Sequence, residues 1–122
     1  MAGTFHVLTI DSDGSGDGTG TFTLKASGLV LGARLEYGGT PDAGTDVTIT
    51  EPNGLKRTLL TASNTGTAAT YNPQEEIQDN TGTGVGQYRP FHVNMTNLLV
   101  TVADAVVSTS DAVTCVIYLL ED

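Results

Sequence analysis

Apolar and polar residues alternate with a period of two in short runs along the whole chain, and no stretch holds the i, i+3, i+4, i+7 spacing of an amphipathic helix for three turns. The pattern predicts eight strands. The first runs from Thr4 to Ile10 and ends in the loop Asp11 to Gly18, whose Gly and Asp residues tolerate the left-handed backbone of a reversal. The second, Thr19 to Ala26, sets Phe22, Leu24 and Ala26 against Thr21, Thr23 and Lys25, and Ser27-Gly28 turns it into the third, Leu29 to Tyr37. After a loop over Gly38 to Gly44, Asp46 to Thr50 forms the fourth, and the turn Glu51-Pro52-Asn53-Gly54 leads into the fifth, Leu55 to Thr61.

From Ala62 to Gly86 the alternation dissolves into Thr, Gly, Asn and Gln, and only Gln74 to Gln78 is expected to make a helical turn. A connection of that length inside a compact domain is usually functional or ordered by a partner. Order returns with the sixth strand, Val85 to Met95, the seventh, Leu98 to Ala103, and the eighth, Ala112 to Leu120, with Ala105 to Asp111 as the last turn region. Residues 1–122 therefore read as one all-β domain, a β-sandwich with jelly-roll or Greek-key wiring. The last strand is apolar at Val113, Cys115, Val116, Ile117, Tyr118, Leu119 and Leu120. One face can enter the core; the stripe Val116, Tyr118, Leu120 on the other needs cover from the long connection or from another subunit.

Charge narrows the partners. Five Lys and Arg against fourteen Asp and Glu give a net charge of -9, which repels phosphate backbones and anionic lipids, so neither nucleic acid nor membrane is an expected partner. No apolar run reaches the roughly 20 residues of a membrane span, and the N-terminal residues have no signal-peptide pattern, so a soluble protein is expected. The single cysteine, Cys115, lies in the apolar last strand and reads as a small buried hydrophobe.

Chemistry is thin. Asp11, Asp13 and Asp17 alternate in a Gly-containing loop as calcium ligands do, but the twelfth position of that template is Phe22, where a bidentate glutamate is needed, so the loop is a weak metal candidate and a solvated turn is the better reading. His6 and His92 belong to no metal-binding pair, no nucleophile elbow is present, and the adjacent Glu75 and Glu76 lack the separation of a glycosidase pair. No enzyme activity and no cofactor are expected. Aromatic and basic residues are rare, which makes the cluster Tyr88, Arg89, Phe91, with Tyr71 earlier in the connection, a candidate interface.

The stretch Gly44 to Thr50, then Asn53-Gly54, Leu59-Leu60-Thr61 with Asn64, Ala69-Thr70-Tyr71 with Pro73, and Asn97 to Ala103 before the terminal strand resembles small structural proteins of tailed bacteriophages, in particular head decoration or cement proteins. The likeness spans roughly residues 29 to 120 and leaves out the Asp11 to Gly18 loop. It implies a non-enzymatic virion protein, made in the host cytoplasm and placed on the outer surface of the head, bound to the major capsid protein as a dimer or trimer. On this reading the chain self-associates or docks through its last strand and the 62–91 connection, with Tyr71, Tyr88, Arg89, Phe91, Val116, Tyr118 and Leu120 as contact candidates. A tail or neck component and a lectin-like, carbohydrate-binding jelly roll are the alternatives.

Overall fold

A computed structural model describes residues 2–122. It contains ten strands: β1 (Ala2–Ile10), β2 (Gly18–Thr23), β3 (Gly28–Tyr37), β4 (Asp46–Thr50), β5 (Thr58–Ala62), β6 (Ala69–Tyr71), β7 (Gln74–Gln78), β8 (Gly84–Val93), β9 (Asn97–Ala103) and β10 (Val113–Glu121). No helix is present among the described residues.

The strands form two antiparallel sheets. One runs β1-β10-β3-β8-β7, with β6 paired beside β8 on the same edge of β3; the other runs β2-β9-β4-β5. With β6 and β7 set aside, the remaining eight lie in the order first, eighth, third, sixth in one sheet and second, seventh, fourth, fifth in the other. That wiring is the jelly roll, and these eight are the strands predicted from the alternation of the sequence. Inward residues of both sheets make one core, in which Leu35, Val47, Val93, Leu98, Val100, Val113, Cys115 and Leu119 are all fully buried.

Four boundaries differ from the sequence pattern by two residues or more: β1 starts at Ala2 rather than Thr4, and the other three lie at turns. The β4–β5 turn is longer than Glu51-Pro52-Asn53-Gly54, because the Glu51 amide donates to the Arg57 carbonyl (2.9 Å) and Lys56 takes a left-handed φ of 53°. Leu55 is consequently an exposed loop residue, and β5 starts at Thr58. At the two remaining turns, β2 stops at Thr23, although Leu24 remains in the core, and β8 stops at Val93, ahead of a turn in which Met95 has a φ of 40°.

The 62–86 connection is not a long irregular loop. Its first part adds β6 to β3, and Gln74–Gln78 is a strand rather than a helical turn, hydrogen-bonded to β8 from Gln74 opposite Pro90 to Gln78 opposite Gly84. Five residues are too few to repay helix nucleation, whereas the facing strand offers backbone partners at once. The result is a hairpin whose residues from Gln78 to Arg89 are all exposed.

The last strand has one face in the core, with Val113, Cys115, Ile117 and Leu119 buried, and its other apolar residues, Val116, Tyr118 and Leu120, only partly covered on the outer face. β10 lies between β1 and β3 and is hydrogen-bonded along both edges, so it has no free edge of its own. The free edge beside it belongs to β1.

Candidate functional site

Side chains of successive strand residues alternate between faces, so register assigns the outer face of the larger sheet. Tyr118 lies opposite Phe5 on one side and Gly32 on the other, and Val116 lies opposite Val7 and Arg34. Phe5 and Val7 are 72% and 64% exposed, although they sit in the middle of a strand. The Phe5 and Tyr118 rings meet at 4.8 Å between centroids with a 38° tilt, and the Tyr118 ring lies across Gly3, where a Cβ would clash with its hydroxyl. Gly3 thus makes room for the ring that builds the face.

Beside this pair is an apolar depression of about 240 Å³, walled by Phe5, Val116 and Tyr118 and rimmed by Arg34 and Thr70. Its floor is Gly32. A Cβ placed there would meet nothing closer than the Tyr71 carbonyl oxygen at 3.8 Å, so the depression exists because position 32 has no side chain. On the rim, the Arg34 Nε donates to Glu36 Oε1 and its Nη1 to Thr70 Oγ1, both at 2.9 Å.

The residues named from sequence fall in three places. Val116 and Tyr118 line the depression, and Leu120 lies farther along the same face, opposite Gly3 and Leu29. Tyr88 and Arg89 stand on the hairpin but point to opposite sides: Tyr88 is 61% exposed, while Arg89 reaches Glu75 at 3.1 Å. Phe91 is 4% exposed and Tyr71 packs against the core. Phe91 is thereby corrected from contact residue to core residue: an odd separation of three along β8 places it on the face opposite Tyr88. Phe5, Val7 and Gly32 escaped the sequence reading; the signal for the first two lies in β1, where the apolar set shifts phase from Phe5 and Val7 to Leu8 and Ile10.

Arg57 holds the base of the hairpin. Its Nε and Nη2 donate to the two Glu51 carboxylate oxygens (2.6 and 3.0 Å), its Nη1 to Glu75 (2.6 Å) and its Nη2 also to the His92 carbonyl (2.7 Å). The guanidinium carbon stands 5.3 Å from the Phe91 ring centroid. Glu51 is only 8% exposed, and the hydrogen bonds from Arg57 hold its carboxyl below its ordinary value of 4.5 despite the opposing effect of burial. A depressed carboxyl adds stability that is complete above the unfolded-state value and is lost as pH falls through the folded-state one. The melting temperature should therefore fall more steeply below about pH 4.5 in the wild type than in Glu51→Gln, as thermal melts at neutral and acid pH will show. Parallel acid slopes in the two proteins would contradict this.

The aspartate loop is a turn built from its own carboxylates. Asp13 Oδ1 accepts from the amides of Ser15 (2.8 Å) and Asp17 (3.0 Å), and Asp79 Oδ1 accepts from those of Thr81 (2.8 Å) and Thr83 (3.0 Å) in the hairpin turn. Both turns close with the same backbone bonds and place a glycine, Gly16 or Gly82, at positive φ. Both carboxyls are lowered, Asp13 chiefly by the Asp17 amide and Asp79 chiefly by the Thr81 hydroxyl. Asp11 accepts from the Asp111 amide at 2.8 Å. Among the described residues no three His, Cys, Asp or Glu side chains gather as metal ligands would. Cys115 is fully buried, and desolvation pushes its thiol up to about 12, where it is not a nucleophile at neutral pH.

The fold and face define a jelly-roll domain with an uncovered apolar sheet surface. No family model matches the chain, and no curated protein does. A solved structure of infectious bursal disease virus, Gx strain, aligns with 98% of this chain at 12% identity and a TM-score of 0.23, a likeness too slight to argue from. The chain spans 37% of the length of that structure's chain.

Proposed function

We propose that this chain is a non-catalytic structural protein of a tailed-phage virion, a decoration protein that seats the outer face of β1, β10 and β3 on the major capsid protein at the outside of the head. The observation that carries the reading is the depression over Gly32 with Phe5, Val116 and Tyr118 around it. A contiguous apolar surface in the middle of a sheet marks a place for another macromolecule. A standard interface takes about 800 Å² from each partner, a modest share of the 6550 Å² surface of this chain. The net charge of -9 suits a position outside the shell, away from the genome. A tail or neck component would use the same face on a different lattice. A sugar subsite needs free polar groups beside its aromatic platform, and those on this rim, Arg34 and Thr70, are bonded to each other, with Arg34 also bonded to Glu36.

Gly32→Leu fills the depression from its floor without a backbone clash, and Tyr118→Ala removes its wall. Each should weaken docking by about 1 to 3 kcal/mol, a 5- to 150-fold rise in Kd. Gly32→Leu should also melt like the wild type. Cosedimentation with heads assembled without the protein measures this; variants that bind like the wild type would refute the placement.

A further inference from the structure

We propose that two copies of this chain join edge to edge through β1, antiparallel, into one continuous sheet. β1 pairs with β10 in unbroken register from Ala2 opposite Glu121 to Ile10 opposite Val113, and among the described residues no strand lies along its other edge. A row of open N–H and C=O groups nine residues long accepts one kind of partner, another extended strand.

Natural edges are guarded by charges, proline, bulges or short length. The opposite edge of the same sheet is guarded in this way: β7 has five residues, two of them carboxylates, and a register shift after Glu76. β1 has none of these devices. Residues Ala2 to Ile10 contain no Lys, Arg, Asp, Glu or Pro, no bulge and no positive φ. The edges of the smaller sheet offer less, since β5 has five residues and a register shift, and β2 has six and tucks Gly20 beneath Leu8 and Ile10.

Charge and pattern select a second copy as the occupant. A chain carrying -9 repels itself wherever acids face each other, and none of its fourteen Asp and Glu residues lies in β1. Full overlap of the nine residues places the two-fold axis at His6, with Phe5 opposite Val7 of the partner subunit and Thr4 opposite Leu8 of the partner subunit. Outer residues then meet outer residues and inner meet inner, as a closed two-fold interface requires. The pairing gives the mid-strand exposure of Phe5 and Val7 a cause, because each flanks the other across the seam.

This proposal is independent of the docking face, since it concerns the purified protein alone. Analytical ultracentrifugation up to roughly 200 µM, above the micromolar dissociation constants of ordinary weak dimers, should show a dimer. Val7→Lys places like charges at the seam on a side chain 64% exposed, and should raise the dimer Kd at least tenfold with little change in melting. Oxidation should lock His6→Cys as a covalent dimer, because cross-strand Cα atoms stand within disulfide reach on the axis, while Val7→Cys stays uncrosslinked. A wild type that is monomeric throughout would overturn the proposal. So would a dimer that Val7→Lys leaves intact and His6→Cys does not lock.

Discussion

Arg57→Ala is expected to destabilise the fold by about 2 to 3 kcal/mol and to release the base of the β7–β8 hairpin. The loss comes from what stays behind. Glu51, 8% exposed, keeps its charge with only the amide of residue 57 (3.2 Å) still donating to it in place of the two guanidinium bonds, and Glu75 and the His92 carbonyl each lose a donor. Truncating one partner of a buried pair costs more than the pair contributes, because the orphaned charge bears its desolvation alone. Arg57 is 23% exposed, which keeps the expected figure below that of a wholly buried pair. Arg57→Lys should rescue little, since an ammonium cannot bridge Glu51 and reach Glu75 and His92 together. Urea unfolding gives the loss, and amide exchange over residues 74–90 shows whether the hairpin loosens first. A loss below about 0.5 kcal/mol would make the cluster an ordinary surface network.

Leu35→Ala should cost about 3 to 4 kcal/mol. Leu35 has no exposed surface, lies opposite Cys115 on β10 and Ala69 on β6, and faces the smaller sheet across the core. Strands with hydrogen bonds on both sides cannot shift to fill a void, so the cavity remains. Against a total stability of about 5 to 15 kcal/mol for a domain of this kind, the variant should stay folded with a lower urea midpoint and an unchanged slope. A loss under about 1 kcal/mol would mean that β3 does not lie at the centre of the core.

The eight jelly-roll strands could be read from alternation because each has one face in the core, and a buried face imposes a period of two on the residues that fill it. Gln74–Gln78 gave no such signal. Its alternate positions, Glu75 and Ile77, are only partly covered, and it is held by contacts remote in sequence, the Arg57 bridge to Glu75 and the turn that Asp79 closes. Phe91 looked like a surface anchor because Tyr88 and Arg89 stand beside it in the chain, yet counting positions along the strand separates it from Tyr88. The depression over Gly32 lay beyond any local pattern. It needs an absent side chain on β3, two present ones on β10 and an aromatic from the other end of the chain, and only the sheet order brings these together. The two Asp-turns were within reach, since Asp13-Gly14-Ser15-Gly16 and Asp79-Asn80-Thr81-Gly82 share one pattern of side chain and glycine.

The docking face is tested most directly by a cryo-electron map of heads reconstituted with the purified chain. Density is expected on the outer surface of the shell, with β1, β10 and β3 turned toward the major capsid protein and the depression over Gly32 filled by one of its side chains. Heads that bind no chain, or a bound chain whose Phe5 and Tyr118 face solvent, would contradict it.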